Sequence, residues 1–249
     1  MIDIHAHILP GVDDGAADLE TALEMADLAH KSGVTAIVAT SHSEAFFRHG
    51  HFRTDIYRTA LHNFRKELLK VGNPLKIYSG MEVYADFDTP HFLKEKQLFT
   101  LNGSRYLLVE FPFRGDKDRS TNILVDIRSM GFIPVVAHPE RYVFVQNSPD
   151  ILNVWHEMGC ILQINKGSLF GRFGQAPERL SLEMVSRGFA HAVASDAHSH
   201  LSRTTRLNDA REFISDEFGE DAAYALFYEN PKRIISNEPI RRIKPRRFV

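Results

Sequence analysis

Seven short apolar runs, each followed by a histidine, a carboxylate or an asparagine, recur along the 249-residue sequence. Met1–Ile4 leads into His5 and His7, Thr35–Thr40 into His42, Leu75–Met81 into Glu82, and Arg105–Val109 into Glu110. Phe132–Ala137 leads into His138, Cys160–Ile164 into Asn165, and His191–Ser195 into Asp196 and His198. Runs without a polar face predict parallel strands covered by helices. Helical segments separate them: from an N-cap candidate at Asp18 to Ala29, Thr54–Val71, about Pro90–Lys96, Ser120–Met130, Pro149–Met158, Ala176–Arg187, and most of the rest to about Ile235. This alternation, with no linker rich in Gly, Ser or Pro, predicts an α/β fold in the form of one seven-stranded βα (TIM-like) barrel. An open doubly wound sheet is the competitor.

The length suits one domain, read over 1–249, with a basic tail at about 238–249 whose simplest reading is a solvated end. Net charge is −2, so no global field favours nucleic acid or an acidic membrane. No run reaches the length of a membrane span, and the N-terminus has no signal-peptide pattern. With a single cysteine no intramolecular disulfide can form, and the expectation is a cytoplasmic protein.

In a barrel the carboxyl ends of the strands converge on one face. His5, His7, His42, Glu82, Glu110, His138, Asn165, Asp196 and His198 would therefore meet. So many imidazoles and carboxylates in one mouth repel and are poorly solvated unless cations neutralise them, which argues for a multinuclear metal site. Imidazole with carboxylate suits Mn²⁺, Fe²⁺ or Zn²⁺, and the absence of cysteine from the set argues against structural zinc. Two ions roughly 4 Å apart can hold a bridging hydroxide and clamp a phosphoryl oxygen. Arg141 and Arg203 follow the fifth and seventh runs and suit a phosphate; Arg206 is an alternative.

Other residues read as structure. Cys160 is followed six residues on by Lys166 where a cysteine-dependent phosphatase needs Arg, so Cys160 reads as a small core residue. His30, His62, His91 and His156 read as exposed helical positions. His49 and His51 fall in a loop beside the expected site, and His200 breaks the strand-end pattern. Phe46, Phe47 and Phe52 are candidates either to pack a substrate ring or to anchor their loop.

The run His5-Ala6-His7-Ile8-Leu9-Pro10-Gly11-Val12-Asp13-Asp14-Gly15, with Gly80-Met81-Glu82, His138-Pro139-Glu140-Arg141 and Ser195-Asp196-Ala197-His198, resembles the PHP (polymerase and histidinol phosphatase) superfamily. Within it, the sequence is similar to the bacterial tyrosine-protein phosphatases of capsule and exopolysaccharide loci. The resemblance runs from Met1 to about Ile235. It implies a distorted seven-stranded barrel and three divalent ions, usually manganese. By motif, the first ion takes His5, His7, Glu82 and Asp196; the second takes Glu82 as bridge with Glu110 and His138; the third takes Asp14, His42 and His198. Arg141 and Arg203 would hold the phosphate. Asp14 comes from the resemblance alone. The family's Thr-Pro-His-His after the second strand is here Thr40-Ser41-His42-Ser43, which keeps the ligand and changes its neighbours.

The implied activity is hydrolysis of protein phosphotyrosine by a metal-activated hydroxide, with His42 or a water as proton source. The implied partner is the tail of a bacterial tyrosine kinase controlling capsule synthesis. A small-molecule phosphoesterase, acting on a substrate such as histidinol phosphate or a nucleotide, would use the same metals. A non-catalytic metal-binding module is the third reading.

Overall fold

The computed structural model describes residues 1–48 and 51–248. β1 (Ile2–Ala6), α1 (Leu19–Lys31) and β2 (Ala36–Ala39) open the chain, followed by an antiparallel hairpin, β3 (Phe47–Arg48) and β4 (His51–Phe52). Next come α2 (Thr54–Lys70), β5 (Lys76–Ser79), β6 (Val83–Tyr84), α3 (Thr89–Lys94), β7 (Tyr106–Glu110), α4 (Lys117–Ser129) and β8 (Ile133–Ala137). Then follow α5 (Val143–Asn147), α6 (Ile151–Glu157), β9 (Ile161–Asn165), α7 (Gln175–Arg187) and β10 (Ala192–Ala194). The chain closes with α8 (Asn208–Phe218), α9 (Glu220–Tyr224), a π-helical turn (Ala225–Glu229) and α10 (Asn230–Ile235).

Apart from the hairpin, every strand pairing is parallel, as the apolar runs require. The strands form two sheets, ordered β1-β2-β5 and β10-β9-β8-β7-β6. The sheets approach each other at both edges. At one, Asp196 N–H donates to His5 O (2.8 Å) and His7 N–H to Ala197 O (2.9 Å). At the other, Ser43 N–H donates to Glu82 O (2.9 Å) and a parallel bridge joins His42 to Glu82. The strand expected over Leu75–Met81 is shortened to β5, which ends at Ser79, and β6 begins only beyond Glu82. Gly80 gives its N–H to the Tyr57 hydroxyl (2.8 Å), and a Cβ there would lie 2.5 Å from Val38 Cγ1.

Side-chain alternation explains how the strands build both a core and a site. Val38, Tyr106, Leu108, Val135, Ala137, Ile161, Ala192 and Ala194 share an inner apolar cluster, stoppered below by Leu101, Ile234 and Ile235. The same inward register carried two or four residues on reaches His42, Glu110, Gln163, Asn165 and Asp196. One face is thus apolar at its amino end and polar at its carboxyl end. β1 departs from strict alternation: Ile4 belongs to the inner cluster, yet the next residue, His5, meets Gln163 from β9. The register of β1 on β2 slips between Asp3 and Ala6, and such an irregularity re-aims a side chain. A second, larger apolar cluster fills the space between strands and helices.

Asp18 caps α1 as expected, accepting from Thr21 N–H at 2.8 Å. α4 starts three residues earlier than expected because Asp116 caps it, accepting from Arg119 N–H at 2.8 Å. No helix among the described residues is long and apolar enough to cross a membrane. Cys160 is buried, and burial pushes its thiol up to about 12, in keeping with a core residue. His30, His62 and His91 are exposed. His156 is not: it is half-buried and stacks on buried His191, with ring centroids 5.3 Å apart.

The basic tail is not simply a solvated end. Arg246 N–H donates to Arg187 O, and Arg187 returns a bond to Arg247 O at 3.0 Å. Arg242 donates to His156 O. Asn153 and Phe248 exchange two hydrogen bonds at 3.0 and 3.1 Å, and the Phe248 ring is buried 5.1 Å from that of Phe189. The arginines remain solvent-exposed yet reach backbone carbonyls, while the tail backbone and one ring dock. Phe248→Ala should lower the unfolding free energy by about 2–4 kcal/mol in a urea titration. A change under about 0.5 kcal/mol would mean that the tail only rests on the surface.

Candidate metal centre

The strand ends deliver their side chains to one cleft of about 120 Å³, lined by Asp14, His42, Glu82, Glu110, Phe113, His138, Arg141, Asp196, His198 and Arg203. A wider open groove of about 1030 Å³ lies between α1 and the loop after α2, but it has no converging set of donor atoms. Glu82 is the hub of the cleft. His5 Nε2 and His138 Nε2 each lie 3.2 Å from its Oε1, and His7 Nε2 and His42 Nδ1 lie 3.1 and 3.2 Å from its Oε2. Asp196 Oδ1 lies 3.5 Å from His5, 3.6 Å from His7 and 3.6 Å from His198. Glu110 stands 3.6 Å from His138 and 3.8 Å from His42. Asp14 Oδ1 faces His42 Nε2 at 3.5 Å and His198 Nε2 at 3.4 Å.

These spacings fit cations. Ligand bonds of about 2.1 Å at tetrahedral or octahedral angles separate neighbouring donor atoms by about 3.0–3.4 Å. Four overlapping groups could each hold an ion: His7, Asp14, His42 and His198; His5, His7 and Asp196; His5, Glu82 and His138; His42, Glu82 and Glu110. His7 Nε2 and His5 Nε2 lie 3.3 Å apart, a contact between two lone pairs unless a proton or a cation lies between them.

The charge balance agrees. Burial alone would push Glu82 up, but the imidazoles of His5, His138 and His7 outweigh it and hold the carboxyl well below its ordinary value. Burial would push His5 and His7 down, yet neighbouring carboxylates raise both. Glu110 is pushed up to about 8, first by burial and then by the Glu82 charge. Positive charge beside the carboxylates thus stabilises this cluster, a role that divalent cations would also fill.

A second layer aims the imidazoles. His5 Nδ1 meets Gln163 Oε1 at 2.9 Å and His7 Nδ1 meets Asp13 Oδ2 at 2.8 Å, so both Nε2 atoms face the cleft. Asp13 also accepts from His42 N–H (3.0 Å) and Gly15 N–H (3.1 Å). Gly15 must be glycine, because a Cβ would lie 2.2 Å from His7 O. Asp3 is buried and accepts from Ser195 N–H (3.1 Å), Ser195 Oγ (2.5 Å) and His5 N–H (3.2 Å), which ties the end of β1 to the end of β10. The sequence reading passed over Asp3, Asp13 and Gln163. The available signal for Gln163 was a lone amide inside an apolar strand. His138 and Asp196 both adopt left-handed backbone, with φ of 34° and 47°.

All nine expected metal ligands are brought together, and both expected arginines stand at the mouth. Asp196 Oδ2 accepts from Arg141 (3.1 Å), Arg203 (2.5 Å) and Asn165 (2.5 Å), while its Oδ1 faces the imidazoles. Arg206 is solvent-exposed and lies outside the cleft; its carbonyl accepts from Lys166. His200 pairs with Glu24 at 3.0 Å, away from the cleft. His49 and the side chain of His51 fall outside the described residues. Of the three candidate ring-packing phenylalanines, Phe46 is buried against Tyr57, and Phe47 and Phe52 pack with Phe92; none lines the cleft.

Parallel strands whose carboxyl ends gather histidines and carboxylates around one buried hub define an α/β protein with a candidate metal-binding centre. A family model described as capsular polysaccharide synthesis, CpsB/CapC, matches residues 1–236, and the chain belongs to that family. The tyrosine-protein phosphatase YwqE of Bacillus subtilis (strain 168) is 36% identical over 247 residues, spanning 98% of this chain and 95% of the relative. The tyrosine-protein phosphatase CpsB of Streptococcus pneumoniae is 34% identical over 248 residues, spanning 96% of this chain and 100% of the relative. A solved structure from work on YwqE and CpsB, described there as unique metal-dependent tyrosine phosphatases, superposes with a TM-score of 0.92 at 35% identity and covers 100% of both chains.

Filling the centre should stabilise the fold. At 100 times its dissociation constant, Mn²⁺ is expected to add about 2.7 kcal/mol to the unfolding free energy for each site. Glu82→Gln should abolish most of that gain, read by thermal melts with and without EDTA. Equal melting temperatures in Mn²⁺ and EDTA for the unsubstituted protein would remove the metal assignment.

Proposed function

We propose that this chain is a metal-dependent tyrosine-protein phosphatase, a phosphoric monoester hydrolase acting on phosphotyrosine in proteins. The observation that carries the reading is the pairing of a buried histidine–carboxylate cluster with two guanidiniums on Asp196 at its mouth. It is supported by family membership over residues 1–236 and by relatives named as tyrosine-protein phosphatases. The two sheets are best taken as one distorted seven-stranded barrel, counting β5 and β6 as one interrupted strand. The bridges at Ala6–Ala197 and His42–Glu82 favour this. We take residues 1–249 as a single domain that works in the cytoplasm, with the tail of a cognate tyrosine kinase of capsule synthesis as substrate.

The ligand set suits three divalent ions, with manganese first and iron or zinc as alternatives. His5, His7, Glu82 and Asp196 would hold the first; Glu82, Glu110 and His138 the second; Asp14, His42 and His198 the third. Bound there, such ions would supply Lewis acidity toward phosphoryl oxygen and a lowered pKa for water.

The chain's own groups do the rest. Arg141 and Arg203 present N–H donors at the cleft mouth, and a phosphoryl group entering beside Asp196 would take them as charge-assisted partners. Asp196 and Asn165 keep both guanidiniums in place until then. His42 has a carboxylate within reach of each ring nitrogen, which favours ligation over proton delivery. The departing phenol has a pKa near 10 and leaves without strong acid assistance. Cys160 lies in the core and takes no part.

The test is phosphate release by Mn²⁺-reconstituted protein from phosphotyrosine peptide, phosphoserine peptide and histidinol phosphate. Phosphotyrosine should be preferred; no release from any of the three would end the phosphatase reading. Arg141→Lys, which keeps the charge and loses the planar fork, should lower kcat/KM about 100-fold. His138→Ala should lower turnover by more than about 100-fold while the protein still melts cooperatively.

A further inference from the structure

We propose that Phe113 is the specificity-determining residue that receives the aryl ring of the substrate. The proposal rests on the phosphotyrosine reading above and names the contact that would enforce it. Every other side chain lining the cleft is a histidine, a carboxylate or an arginine. A phenyl group among them can neither ligate a metal ion nor hydrogen-bond a phosphate, yet 40% of Phe113 stays exposed at the rim. Leaving an apolar ring half in water forgoes the gain of burial, and a ligand that covers it recovers that gain.

The ring is held in place before any ligand arrives. Phe113 O accepts from Val143 N–H at 2.8 Å, and a turn closes behind it through Gly115 N–H to Pro112 O at 2.8 Å. The ring lies 5.8 Å from that of His138 and 6.1 Å from that of Tyr142. Tyr142 is itself buried, its hydroxyl accepting from Phe111 N–H at 3.1 Å. Phe113 is therefore a rigid wall, pre-organised as a recognition surface should be.

Its relation to Arg141 sets the geometry. The guanidinium carbon sits 4.6 Å from the Phe113 centroid and 4.1 Å from that of Phe173. Stacking uses the faces of a guanidinium and leaves its N–H groups, which lie in its plane, for a phosphate. An ester group on a phosphate bound there leaves the cleft alongside Phe113. A tyrosine ring is large enough to make an edge or offset contact with it, whereas the single methylene of phosphoserine offers little area. Phe173 and Asp196 both hold Arg141 independently, so the seat of the phosphate does not depend on Phe113.

Calorimetry on Mn²⁺-loaded protein, with phenylphosphonate and inorganic phosphate as probes, separates ring from phosphate. In Phe113→Ala, the dissociation constant of phenylphosphonate should rise about tenfold relative to that of phosphate. Phe113→Leu, which keeps apolar volume without the flat ring, should fall between, and it carries the comparison if the alanine variant does not fold. Equal weakening of both probes would reassign Phe113 to seating Arg141, and no change in either would remove it from recognition; both overturn the proposal. Peptide turnover keeps the two readings apart. An unsubstituted enzyme that cleaves phosphoserine but not phosphotyrosine peptide ends the phosphotyrosine reading and this proposal with it. An enzyme that prefers phosphotyrosine, and keeps that preference in Phe113→Ala, loses only the Phe113 assignment.

Discussion

Glu82 carries its carboxylate where water does not reach, and four imidazoles from the ends of β1 and β8 and the β2 loop converge on its two oxygens. An isolated buried carboxylate would be prohibitively costly, so the fold has to deliver partners to it. No local segment can do so, because the partners lie up to 77 residues from Glu82 in sequence, counting from His5. Only parallel strands with their carboxyl ends on one side bring them together. The interruption between β5 and β6 belongs to the same arrangement. It lifts Glu82 out of the regular ladder at the level where the other strands end.

Around that hub the chain spends polar groups on orientation. Gln163 and Asp13 each occupy the Nδ1 of one imidazole and so turn its Nε2 inward. Asp3 fastens the first strand to the last of the five-stranded sheet through Ser195. Asp196 divides its two oxygens, one toward imidazoles and the other toward Arg141, Arg203 and Asn165. A single carboxylate thereby joins the histidine–carboxylate cluster to the arginine pair at the cleft mouth.

Much of this was legible in the sequence, for a physical reason. Strand-end His, Asp and Glu after apolar runs are the residues that a parallel fold gathers, so the convergence of these side chains and the α/β class followed from pattern. Asp14 did not, since it sits in a loop and its position depended on a family resemblance. Groups whose role depends on three-dimensional neighbours were hidden as well. Phe113 follows Glu110 by three residues and looks like any loop aromatic, while Phe46, Phe47 and Phe52 drew notice only through their crowding. Their hairpin packs on α3 instead, through Phe92. The tail misled for the opposite reason: four arginines and a lysine among its last nine residues suggested solvent, and the docking is done by its backbone, by Phe248 and by guanidiniums that reach backbone carbonyls.

The left-handed backbone at His138 and Asp196 has a further consequence. Residues other than glycine, asparagine and aspartate are uncommon there, and such a conformation costs on the order of 1–3 kcal/mol unless its surroundings enforce it. A glycine at position 138 would relieve the chain and delete the imidazole. The working sequence is therefore not the most durable one that this backbone admits. Selection for heat resistance alone would erode the centre at position 138, where β8 hands over to the cleft.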